Sequence, residues 1–124
     1  MPYFDPNTPF VSHFSGDAHR SATLPASWYY DQEVFEAEKQ VIFFSTWQFI
    51  GYLDDLANAH DYVTADILDQ KVFVIRGKDG ELRGFHNVCM HRGHVLLEGK
   101  GNAGFITCPF HAWTYDATGQ LRAA

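Results

Sequence analysis

A chain of 124 residues suits one domain around one core. Its 46% hydrophobic and 16% aromatic content excludes a disordered segment, which needs low hydrophobicity and high charge. A formal net charge of −6 with no basic stripe argues against a nucleic-acid partner. No apolar run approaches bilayer length, so no membrane partner is expected. The opening Met1-Pro2-Tyr3-Phe4-Asp5 lacks the basic and apolar regions of a signal peptide. A cytoplasmic location is therefore the expectation.

Residues 1–23, with Pro2, Pro6, Pro9 and Gly16, read as an irregular arm. A helix is predicted from an N-cap at Asp31, with Glu33 in its first turn, to about Phe44. Val34, Phe35, Val41 and Ile42 form its apolar face. The remainder reads as β. Thr46–Tyr52 is predicted as a strand from its bulky aromatics, and Tyr62–Ile67 as a weaker one. Lys71–Arg76 and Glu81–Phe85 flank Gly77-Lys78-Asp79-Gly80 and form the strongest hairpin pattern in the chain. Phe105–Thr107, Trp113–Tyr115 and a returning Gln120–Arg122 complete the strands, with a turn at Asp116–Gly119.

The chemistry lies in Cys89-Met90-His91 and Cys108-Pro109-Phe110-His111, separated by sixteen residues. Each pair falls on a loop between predicted strands. In an extended loop, side chains two apart point the same way, so Cys89 and His91 can reach one centre together. Pro109 fixes a backbone angle in the second loop, and Gly93 lets the first one turn. Two thiolates and two imidazoles can hold one zinc ion or an asymmetric two-iron cluster. Zinc sites usually pair like with like, cysteine near cysteine and histidine near histidine. Here each loop supplies one of each, which fits a diamond-shaped cluster between two loops better than a single ion. Cys89 and Cys108 are the only cysteines, so none remains for a structural disulfide.

The pattern C-x-H, sixteen residues, C-x-x-H resembles the Rieske signature. Asn87-Val88-Cys89-Met90-His91-Arg92-Gly93 and Cys108-Pro109-Phe110-His111-Ala112-Trp113-Thr114-Tyr115 resemble the cluster loops of the large (α) subunits of Rieske non-haem iron oxygenases. Leu24-Pro25, Tyr29, Asp31, Phe35, Glu38, Ile42-Phe43 and Trp47 match the N-terminal pattern of those subunits. The resemblance covers about residues 24–124, and Ala112 stands where the family often has Gly.

The resemblance implies a mainly β fold: a Rieske-type antiparallel β-sandwich with two cluster-binding loops, preceded by an N-terminal arm and one α-helix. Residues 1–44 would be the arm and helix, and residues 45–124 a Rieske [2Fe–2S] domain cut short at its C-terminal end. Cys89, His91, Cys108 and His111 would bind the cluster, with Arg92 and Trp113 orienting and shielding it. His91 and His111 would sit at an exposed tip and serve as the electron exit, with electron uptake coupled to proton uptake. No catalytic residue is expected in this chain, because the non-haem Fe(II) of the family lies in a C-terminal domain beyond position 124. Asp17, His19 and His13 have suitable side chains but lack the rigid scaffold such an iron needs.

The implied partners are a reductase or ferredoxin donor and the catalytic domain of a neighbouring α subunit, in a homotrimer when full length. The implied function is electron transfer to a mononuclear iron for O2-dependent hydroxylation or demethylation. A stand-alone Rieske ferredoxin and a structural zinc module are the alternatives. Respiratory Rieske proteins carry a bracing disulfide where this chain has His94 and Phe110, and a sulfur-bonding Ser where it has Trp113. Loss of that donor implies a potential near the bottom of the Rieske range, on the order of −150 mV.

His94 and His86 are expected in structural roles, His60 in an exposed polar stretch, and Asp54-Asp55 in a solvated turn. Tyr115 is either a donor to sulfur or an ordinary buried strand tyrosine.

Overall fold

A computed structural model describes residues 15–21, 24 and 26–124. The chain divides into two compact units, one ending at Trp47 and one running Gln48–Ala124. Most of the predicted arm, His13 included, lies outside the described residues. Residues 17–20 form a turn in which Asp17 Oδ1 accepts the His19 N–H at 3.0 Å.

In the first unit, a 3₁₀ turn (Ala26–Tyr29) precedes the α-helix α1 (Gln32–Glu38). Asp31 caps it, its carboxylate accepting the Glu33 N–H at 2.8 Å. The helix is shorter than expected. From Lys39 to Phe43 the backbone widens into a π turn, and the Phe44 N–H reaches the Lys39 carbonyl at 3.0 Å. None of its residues is buried, so the expected apolar face stays open: Val41 is 60% exposed.

The predicted strand at Thr46–Tyr52 is absent; these residues are irregular. Aromatic side chains favour a strand only where a neighbouring edge offers pairing. The sheets of this fold pair with none of these residues. Phe49 and Tyr52 instead meet edge to face, with ring centroids 5.1 Å apart. Leu53–Leu56 follows as a 3₁₀ turn, in which Asp55 pairs with Lys100 at 2.6 Å.

The second unit is mainly β. A four-stranded antiparallel sheet has the order β3-β2-β1-β4, with β1 Asp61–Ile67, β2 Gln70–Arg76, β3 Leu82–His86 and β4 Lys100–Asn102. A three-stranded sheet has the order β5-β6-β7, with β5 Ile106–Thr107, β6 Thr114–Tyr115 and β7 Leu121–Ala123. The β2–β3 hairpin forms as predicted. Its turn is closed by Gly80 N–H to Gly77 C=O at 3.0 Å and tied by Arg83 to Asp79 at 2.6 Å. In β2 the inward Phe73 and Ile75 are buried, while Val72 and Val74, which alternate with them, are only partly covered.

The two sheets share one core of Phe73 and Ile75 from the first, Ile106 and Tyr115 from the second, and Ala117. Cys89 and Cys108 belong to the same cluster, each 2% exposed. The core therefore runs directly into the loops that carry the paired Cys and His residues.

His60 differs from expectation. It is half-buried, at φ +72°, with its N–H on Arg76 C=O (2.7 Å) and its C=O accepting from Ala103 N–H (2.9 Å). The polar stretch around it bends inward to make these two bonds. Among the described residues, no helix is long and apolar enough to cross a membrane.

Candidate metal centre

Two loops rise from the core, and their backbones repeat one pattern. In the first, Cys89 N–H bonds His94 C=O at 2.7 Å and Gly93 N–H bonds Cys89 C=O at 2.9 Å. In the second, Cys108 N–H bonds Trp113 C=O at 2.8 Å and Ala112 N–H bonds Cys108 C=O at 2.9 Å. Each loop thus folds back four and five residues after its cysteine, and the closing residue has positive φ: +70° at Gly93 and +59° at Ala112. That conformation is free for Gly and strained for Ala. Replacing Ala112 by Gly is expected to raise stability by about 0.5–1 kcal/mol, the relief of strain less the entropy Gly loses on folding. A thermal melt checks it, and an unchanged or lower melting temperature refutes it.

The four donors form two tiers. Both sulfurs lie in the core, while the His91 and His111 rings stand exposed, 4.8 Å apart between centroids and inclined at 62°. Among the described residues, no three His, Cys, Asp or Glu side chains gather around one ion-sized point. The cysteines are not bridged to each other. Such a set suits a two-metal group with a soft, buried end held by thiolates and an exposed end held by imidazoles.

Burial pushes the Cys89 thiol up. Hydrogen bonds from Tyr115 Oη, from the His91 and Arg92 N–H groups and from Cys108 outweigh it, so the net shift favours thiolate, the form that binds metal. Desolvation, then His111 and Arg92, hold the His91 imidazole below its usual value and keep it neutral, as a metal ligand must be.

Tyr115 lies on the inner side of this site. Its Oη sits 3.4 Å from Cys89 Sγ and accepts the Met90 N–H at 3.2 Å. With Met90 as donor to that oxygen, the phenol proton is left to point at the sulfur. Burial and the Cys89 partner push the Tyr115 pKa up, so the phenol stays protonated. Of the two readings left open by the sequence, donor to sulfur is the one this contact supports.

Trp113 does two jobs. It packs against the core cluster and stacks on His91, with centroids 4.8 Å apart and planes at 8°. Arg92 is exposed and acts on the site through its charge near His91 and its N–H toward Cys89. His94 takes a loop hydrogen bond, Nδ1 to Val95 O at 2.7 Å, and its ring lies 5.7 Å from that of Phe110. These two residues therefore join the loops by ring contact. Asp17 and His19 stay in their own turn, the carboxylate bonding the His19 backbone.

Comparison with known proteins gives a consistent picture. The family model described as "Rieske [2Fe-2S] domain" matches residues 46–124. The carnitine monooxygenase oxygenase subunit of Escherichia coli (strain K12) is 42% identical over 125 residues, covering 100% of this chain and 33% of that protein. A crystal structure of the quaternary ammonium Rieske monooxygenase CntA in complex with γ-butyrobetaine superposes with a TM-score of 0.80 at 45% identity, over 84% of this chain and 30% of that one. Naphthalene 1,2-dioxygenase from Rhodococcus sp. bound to indole superposes with a TM-score of 0.76 at 36% identity, over 82% and 23% respectively. The chain spans about a third or less of the length of these relatives.

Proposed function

The chain belongs to the Rieske [2Fe–2S] domain family, and from that premise we propose that Cys89, His91, Cys108 and His111 hold its cluster, Cys89 and Cys108 on the inner iron and His91 and His111 on the outer. The observation that carries this reading is the two-tier donor set: cysteines 2% exposed in the core, histidines open to solvent above them. When bound, the cluster supplies reversible one-electron reduction.

The surrounding residues have separate tasks. The Tyr115 phenol holds a proton toward Cys89 Sγ. The Trp113 ring covers one face of His91 and excludes water from it. The exposed His91 and His111 rings would offer the route by which an electron leaves.

The role we propose is transfer of electrons from a reductase or ferredoxin to a mononuclear non-haem iron carried outside these residues, on a neighbouring subunit of a homotrimer. O2-dependent hydroxylation or demethylation would take place there.

Anaerobically purified protein should be brown and, when reduced, give an axial or rhombic EPR signal; a colourless zinc protein would sink the reading. In a redox titration the midpoint is expected at roughly −150 mV, because Trp113 supplies no hydroxyl to sulfur. A strongly positive midpoint contradicts that part.

A further inference from the structure

The two loops share one internal backbone pattern but are closed at their mouths by different means. The second joins β5 to β6, which pair directly through Ile106↔Tyr115 and Thr107↔Thr114. Its mouth is therefore held by a strand ladder. The first leaves β3 and returns to β4, and these strands lie at opposite edges of the four-stranded sheet. No ladder between its flanking strands can close it.

Asn87 occupies that gap. It lies two residues before Cys89, is 4% exposed, and its N–H is anchored to Lys71 C=O of β2 at 2.8 Å. Its side-chain Oδ1 accepts the N–H of Leu96 (3.1 Å) and of Leu97 (3.0 Å), and its Nδ2 donates to Leu97 C=O at 2.7 Å. The carboxamide thus exchanges both an N–H···O and an O···H–N bond with Leu97. That is the bonding of a hydrogen-bonded pair in an antiparallel ladder. Leu96 and Leu97 in turn pack against the core cluster that contains both cysteines.

We infer that Asn87 is a positioning residue for Cys89 and His91: its side-chain amide acts as the missing ladder rung and holds the first loop at the height of the second. This rests on the proposal that those two residues are ligands. A buried amide that merely satisfied its own polar atoms would affect overall stability and both loops alike. A rung affects one loop first.

The test compares Asn87→Leu and Asn87→Asp with the unaltered chain. Leu removes all three bonds at similar volume. Asp keeps the two accepted N–H bonds but sets an oxygen against the Leu97 carbonyl, and it decides the matter should the Leu variant not fold. Amide hydrogen exchange at Leu96 and Leu97 is expected to quicken by about tenfold or more, while that of Cys108 and Ala112 stays unchanged. Iron should be lost to a chelator several-fold faster, and the reduced EPR signal should shift or broaden. Unchanged exchange at Leu96 and Leu97, or an equal rise in both loops, overturns the inference. Absence of a Rieske spectrum in the unaltered chain would instead strike the ligand assignment, and the exchange comparison would still decide the role of Asn87 in closing the loop.

Discussion

Replacing either His91 or His111 by Ala is expected to abolish the Rieske spectrum while leaving the β fold in place. The asymmetry between the tiers predicts both halves of that outcome. The rings are exposed and contribute little to the core, so in the metal-free state their removal should cost no more than about 1 kcal/mol. In the proposed assignment, however, His91 and His111 would be the only protein ligands at the exposed end of the cluster, so the loss of either could not be made good. Far-ultraviolet circular dichroism of the metal-free variants should match that of the metal-free parent. Iron per chain and the reduced EPR signal should collapse. Retention of the spectrum in both variants would remove His91 and His111 from the ligand set.

Cys89→Ser and Cys108→Ser should lose the spectrum as well, but with an added cost in folding. Both sulfurs are part of the packed core, and a hydroxyl there needs a partner. The difference between the histidine and cysteine variants in the metal-free state is thus a direct readout of the tiers. Equal metal-free stability across all four would contradict it.

What could be read from the sequence was local. The two members of each proposed ligand pair lie within three residues of one another, so their spacing alone marks them. The β2–β3 hairpin was legible for the same reason: Phe73 and Ile75 alternate inward, and Asp79-Gly80 marks the turn. The strand β4 was not. Lys100-Gly101-Asn102 has no apolar residue and all three residues are exposed, and it is a strand because β1 offers it an edge at Asp61, Tyr62 and Val63. The opposite error occurred at Thr46–Tyr52, where strong β-formers find no such edge. His60 and Asn87 show a further limit. Their roles depend on backbone groups 10 or more residues away, Leu97 for Asn87 and Ala103 for His60, and no periodicity records such a meeting.

Tyr115→Phe is expected to lower the midpoint potential by about 50 mV. The phenyl ring of the variant fills the same site in the core, since Tyr115 is only 7% exposed and its ring is already packed there. Only the hydroxyl is lost. That hydroxyl accepts from Met90 N–H, so its own proton is directed at Cys89 Sγ, 3.4 Å away. A donor to a ligating sulfur stabilises the reduced cluster more than the oxidised one, because reduction adds negative charge. If the two redox states differ by about 1 kcal/mol in the strength of that bond, a one-electron couple shifts by roughly 40–60 mV. The sign follows: removing the donor makes reduction harder.

Burial pushes the Tyr115 pKa upward, so the phenol remains protonated through the neutral range. The difference between parent and variant should accordingly be constant between about pH 6 and 8. Trp113→Phe is the control. It weakens the stack on His91 but removes no bond to sulfur, and its midpoint should move far less. Protein-film voltammetry of the three proteins decides it. A Tyr115→Phe midpoint equal to or above that of the parent would mean that the phenol serves the Met90 backbone and not the sulfur.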